Sequence, residues 1–205
     1  MQLILSPEDN IRRSVDFSYD IRRGNAGKVN EFLKNNSTYV LQAKLSTEIV
    51  TELNTPIQLR EKPLPYYNHD AGNLRKAKLI ILPIHIAIIA KQVEIVKTIL
   101  EYVSSPTSDN NNKLEIRKIL GTKTKVEFPE GQDKIYALRD RVLDGINAFH
   151  LAARFDAPSL DQIIITLNER KILWEFQDLW QAKDDQLERT PLHVAAKVAD
   201  NCATR

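Results

Sequence analysis

The chain has 205 residues, 42% of them hydrophobic and 27% charged, which suits one elongated domain rather than two large globular ones. Its 29 basic and 27 acidic side chains leave a net charge of +2, too small to drive binding to nucleic acid or a membrane surface. The longest apolar run, Leu79 to Ala90, is too short to insert into a bilayer and contains His85.

Pro7, Glu8 and Asp9 interrupt the apolar start, so no signal-peptide pattern forms there. Residues 11–36 then read as a first helical unit. Ser18 to Asn25 followed by Val29, Phe32 and Leu33 predicts a helix, a turn at Gly24 and a second helix. Arg12-Arg13 and Arg22-Arg23 are expected on solvated helix faces.

Residues 37–80 read as an insertion. Leu41, Leu45, Ile49 and Leu53 are spaced by four, which predicts a short amphipathic helix. Pro56, Pro63 and Pro65 exclude a long regular element after it. Pro65-Tyr66-Tyr67 fits an ordered surface loop, with a docking or modification motif as the rarer reading. The apolar run Leu79-Ile80-Ile81-Leu82 is expected to pack beneath the insertion.

Residues 81–103 form the next unit. Leu82-Pro83-Ile84-His85-Ile86-Ala87 opens a helix, and Val93, Val96 and Leu100 share one face of a second, with Ile95 and Ile99 beside it. Lys91 between them is expected to resist a positive φ. In the insertion 104–139, Ser104 to Asn112 is a polar loop and Leu114 to Gly121 a helix. Lys125–Phe128 and Lys134–Leu138 flank turn residues and predict a hairpin.

Residues 140–167 give a third unit, with Asn147 to Ala153 leading and Leu160, Ile163, Ile164 and Leu167 on the trailing helix. Pro158 and Ser159 are expected to lengthen the turn between them. Residues 168–183 predict an inserted helix with Ile172, Leu173, Phe176, Leu179 and Trp180 in one stripe and Trp174 opposite. Trp174 is then either a partner contact or a cover for a neighbouring loop. Residues 184–205 hold Thr190-Pro191-Leu192-His193-Val194-Ala195-Ala196, a leading helix with Thr190 as its cap and Leu192 facing inward. No second helix follows, so the segment reads as truncated at its C-terminus, with Val194, Ala195 and Val198 left to water.

Thr190-Pro191-Leu192-His193-Val194-Ala195 resembles the T-P-L-H-x-A signature of the ankyrin repeat, and the strings around His85 and His150 are degraded copies of it. Val93 to Leu100 resembles the second helix of such a repeat. The spacing is irregular. His85 and His150 stand 65 positions apart and His150 and His193 stand 43 apart, against about 33 in a regular array. Insertions explain this better than complete hidden repeats. The resemblance implies an all-α ankyrin-repeat solenoid of helix-turn-helix units with short β-hairpin fingers and long insertions. It implies a structural role for His85, His150 and His193, each tying its turn to the next repeat.

The motifs of catalysis are missing from the sequence. It has no glycine-rich phosphate loop, no H-E-x-x-H and no C-x-x-C, so no catalytic, cofactor-binding or metal-binding residues are assigned. Cys202 is the lone cysteine, which excludes an internal disulfide and fits a reducing, cytoplasmic setting. The resemblance implies a protein–protein interaction module whose partner is another protein, with no nucleic acid and no membrane insertion within this segment. The alternatives are the cytosolic part of a larger membrane protein such as an ion channel, or the targeting half of a multidomain enzyme or bacterial effector. Carried onto this chain, the contact residues are Ile89, Leu151, Arg154, Phe155 and Lys197 on leading helices. Arg141, Leu143, Ile146, Leu187 and Arg189 fall on the fingers, and Trp174 is a further anchor.

Overall fold

The computed structural model describes residues 16–35, 41, 45–51, 58–59, 75–104, 112–127, 143–185 and 187–203. Most of them are helical. In chain order the helices are residues 16–22 (α1), Ala26–Asn35 (α2), Pro83–Ile89 (α3), Val93–Val103 (α4) and Asn112–Gly121 (α5). Ala148–Phe155 (α6) and Ala157–Glu169 (α7) follow, then a 3-10 turn Leu173–Phe176, Gln177–Trp180 (α8) and Pro191–Ala203 (α9). No helix among the described residues is long and apolar enough to cross a membrane.

The helices pack in two rows. α3 packs on α6 and α6 on α9, forming a row of leading helices, while α2 packs on α4 and α4 on α7 as a row of trailing ones. The sequence sets this up with one apolar stripe per trailing helix: Val29 and Leu33, then Ile95, Val96, Ile99 and Leu100, then Ile163 and Leu167, all buried. In the first pair Phe17 and Ile21 are buried and Phe17 stacks on Phe32 with ring centroids 4.3 Å apart.

Three helices end in the same way. The backbone N–H of Asn25 reaches Asp20 O at 3.0 Å, that of Gln92 reaches Ala87 O at 2.8 Å, and that of Ile172 reaches Leu167 O at 3.0 Å. Each closes around a left-handed residue: Gly24 at φ 75°, Lys91 at 57° and Lys171 at 58°. Lys91 was expected to resist that conformation and adopts it, held by its own N–H on Ile88 O at 3.0 Å. The α6–α7 junction also corrects the sequence reading, because Asp156 alone joins the helices. Pro158 sits in the first turn of α7, where a missing N–H costs nothing, and the Ser159 hydroxyl donates to the Asp156 carboxylate.

The first insertion overturns a second expectation. Leu45–Thr51 is a strand (β1), not a helix. It pairs antiparallel with Arg75–Ile81 (β3) over seven positions, from Leu45 opposite Ile81 to Thr51 opposite Arg75. Gln58–Leu59 (β2) joins the far side of β1 and Lys125–Glu127 (β4) the far side of β3, giving the order β2-β1-β3-β4. A spacing of four is shared by a helix and by one face of a strand, and Thr47, Ile49, Val50 and Thr51 are residues that favour extended backbone. The Lys125 segment takes β3 as its described neighbour, with Ile80 opposite Lys125; the Lys134 arm of the expected hairpin lies outside the described residues. Leu53, Pro56, Pro63, Pro65, Tyr66 and Tyr67 lie outside them too.

β3 runs through Leu82 directly into α3, so every residue from Ile81 to Ile88 is buried. Just before β4, Thr124 bridges to the next pair. Its N–H and Oγ1 donate to Ile146 O at 2.9 and 3.1 Å, and Gly145 N–H donates back to Thr124 O at 2.9 Å. The inserted segment is thereby wedged against the turn that leads into α6.

Candidate interaction surface

The three histidine strings share a local geometry. At Leu82 the side chain has nothing to offer as a cap, and the Leu82 N–H donates to His85 Nδ1 at 3.2 Å. That fixes the proton on Nε2, which is buried and finds no acceptor among the described residues. Burial pushes the His85 pKa down from 6.5 to about 3, so the ring is neutral.

Asn147 caps α6 by accepting from His150 N–H at 3.2 Å, while its amide group donates to Leu179 O at 2.8 Å. This orientation puts Asn147 Oδ1 2.7 Å from His150 Nδ1, and His150 Nε2 lies 2.9 Å from Arg189 O in the turn before α9. His150 therefore ties its own cap to the next layer. Both ring nitrogens face acceptors, and a neutral ring can donate to only one of them. Burial lowers the pKa of His150 and so disfavours the imidazolium; the Arg189 carbonyl and the Asp184 charge oppose this, while Lys123 and Arg189 add to it.

At the third string Thr190 Oγ1 lies 2.8 Å from His193 Nδ1, repeating the pairing of cap and ring. Here His193 is exposed, and Leu192 is 78% exposed where an inward position was expected. No described element packs over that side of α9. Val194, expected in water, is instead buried, on the helix that packs against α6.

The carbonyls ahead of the second and third leading helices have different donors. The carbonyl just before Thr190 serves His150, but the carbonyl just before Asn147, Ile146 O, is taken by Thr124. Among the described residues His85 Nε2 has no hydrogen-bond partner.

The sequence-derived contact residues separate into three groups. Leu143, Ile146 and Leu151 are buried in the core and offer no surface to a partner, because the Thr124 wedge and the packing of α3, α6 and α9 enclose them. Ile89, Arg154 and Phe155 are half-buried, and Arg189 is half-buried with its guanidinium 3.0 Å from Asp184. Lys197, Leu187 and Trp174 are exposed, the last two by 43% and 74%. Arg141 lies outside the described residues.

Charge organises the exposed part. The buried Asp184 accepts from Leu187 N–H at 2.6 Å and from Arg189 Nε at 3.0 Å, shaping the turn before α9. These bonds and the Arg189 charge hold its carboxyl below the usual range against the opposing effect of burial, the largest single influence. Burial, reinforced by the Arg189 charge, lowers Arg154, and Asp184 opposes it. Beside the turn, Arg117 holds Asp178 at 2.5 Å and Lys113 holds Glu175 at 2.7 Å, clamping the 173–180 segment onto α5.

Sequence reasoning missed one surface feature. An apolar groove of about 340 Å3 runs between α7 and α9, lined by Phe149, Leu160, Ile164, Trp180, Pro191 and Leu192. Trp174 stands edge-on to Trp180, ring centroids 5.7 Å apart, next to this groove. The exposure of Leu192, invisible in a helical pattern, was the missing signal. Among the described residues no group of three or more His, Cys, Asp or Glu is placed to hold a metal ion. No protein-family model matches the chain, and no curated protein or solved structure matches it.

Proposed function

We propose that this chain is a degenerate ankyrin-type repeat module that binds another protein in the cytoplasm and performs no catalysis of its own. The observation that carries the reading is the His150 bridge. One ring touches the cap of its own helix at 2.7 Å and the carbonyl ahead of the next leading helix at 2.9 Å. Cap-to-ring pairings at Leu82 and Thr190 support it as a repeated device. The two helix rows fit a stack of units in which each layer contacts its neighbours.

Such a stack recognises partners with side chains on leading helices and on the turns between layers. In this chain that face comprises Arg154, Phe155 and Lys197 on α6 and α9, with Leu187 and Arg189 on the intervening turn. α3 contributes little, because it is enclosed. A photo-crosslinking residue placed at Leu187 or Lys197 should yield a discrete protein adduct in extract from the native cell. The same probe at Glu101, exposed on the trailing helix α4, should not. Equal labelling at all three positions, or none at any, would refute the reading.

A further inference from the structure

Among the described residues, the cations at the turn between α8 and α9 outnumber the carboxylates that pair with them. Asp184 pairs with Arg189 at 3.0 Å, Glu188 with Lys183 at 3.3 Å, and Asp185 with Lys123. A fourth cation belongs to the same surface. Arg154 follows His150 by one turn of α6, and His150 Nε2 holds Arg189 O at 2.9 Å, so the Arg154 side chain lies alongside this turn. Among the described residues no carboxylate pairs with Arg154 and no hydrogen bond reaches it. Its guanidinium carbon sits 5.5 Å from the centre of the Phe155 ring.

We propose that Arg154 anchors a carboxylate of the partner protein, an Asp or Glu side chain presented next to an apolar residue that packs on Phe155. This rests on the protein-binding reading above and names the chemistry of the partner at that face. A half-buried guanidinium has given up part of its hydration, and its planar fork recovers those bonds from a carboxylate in two parallel contacts. Phe155 supplies the apolar half of the site: it is half-buried and packs on the core, so its position is fixed. One charge without a paired carboxylate among the described residues matches one carboxylate. A phosphate dianion or a nucleic-acid backbone gains most where several cations stand unneutralised, and the other three cations here each have a carboxylate.

The test follows the Arg154 Nε–H signal by NMR during titration at low salt with three end-blocked peptides. One is Leu-Glu-Leu-Glu-Leu, one has Gln for Glu, and one has phosphoserine for Glu. The Glu peptide should move the signal saturably and bind about tenfold or more tightly than its Gln twin, the worth of one charge-assisted hydrogen bond. Arg154→Gln should erase that preference without changing the melting temperature, and Arg154→Lys should keep part of it. Equal binding of the Glu and Gln peptides, a stationary Arg154 signal, or preference for the phosphoserine peptide would each overturn the proposal. The wild-type comparison of peptides needs no variant to fold. A stationary Arg154 alongside successful crosslinking at Leu187 would remove the carboxylate anchor and leave the protein-binding reading intact; failed crosslinking would remove the reading itself.

Discussion

His150 and His85 occupy equivalent places and meet different fates. His150 is 1% exposed and holds Asn147 and Arg189 O together. His150→Ala removes the ring from both contacts, leaves Asn147 Oδ1 and Arg189 O with backbone donors alone, and should cost about 1–3 kcal/mol in urea unfolding. An unchanged midpoint would show that the bridge contributes nothing. His85 is neutral and fully buried, with a pKa of about 3 against 6.5 when unfolded. In that interval the unfolded chain binds a proton that the folded chain refuses. Its contribution is thus complete above about pH 6.5 and is lost as the pH falls toward 3, with a slope of up to about 1.4 kcal/mol per pH unit. His85→Gln should flatten the acid limb of a stability-versus-pH curve between pH 6 and 4; an identical limb would contradict the burial of this ring.

Glycines show how an element decides the sign of a substitution. Gly24 closes α1 at φ 75°, where an added Cβ would also meet the Gln92 side chain, whereas Gly27 in α2 has open space around it. Gly24→Ala should destabilise by about 1–2 kcal/mol, while Gly27→Ala should stabilise by about 0.5–1 kcal/mol through helix propensity. Matching shifts in thermal midpoint from the two variants would refute the turn assignment. β1 is the element the sequence concealed, since Leu45 and Ile49 recur at a spacing that both periods allow, and its partner Arg75–Ile81 is remote in the chain. Ile49 pairs with Ala77 on one side and Leu59 on the other. Ile49→Pro should therefore strip hydrogen-exchange protection from the amides of β3, because a central strand cannot spare a donor. Retained protection would mean that the sheet does not form as described. The junction at Asp156 was hidden for a related reason: Pro158 reads as a breaker until its place in the first turn of α7 is known.

Across the whole molecule, the legible part was what repeats. The strings at His85, His150 and His193 announced the leading helices, and the stripes in Val93–Leu100 and Leu160–Leu167 announced the trailing ones. What the sequence hid is long-range: the pairing of β1 with β3 across 23 or more intervening positions, the Thr124 wedge on Ile146 O, and the enclosure of Leu143, Ile146 and Leu151. Of the expected contact residues, Ile89, Arg154, Phe155 and Arg189 stay half-buried, and Lys197, Leu187 and Trp174 stay exposed. The central claim is that the helix pairs are layers coupled to their neighbours, with His150 coupling the last two. Hydrogen exchange of the wild type and His150→Ala, resolved by residue, tests it most directly. The account predicts a selective loss of protection in α9, Pro191–Ala203, while α3 and α4 stay protected. A uniform loss across all helices, or an unchanged α9, would contradict it.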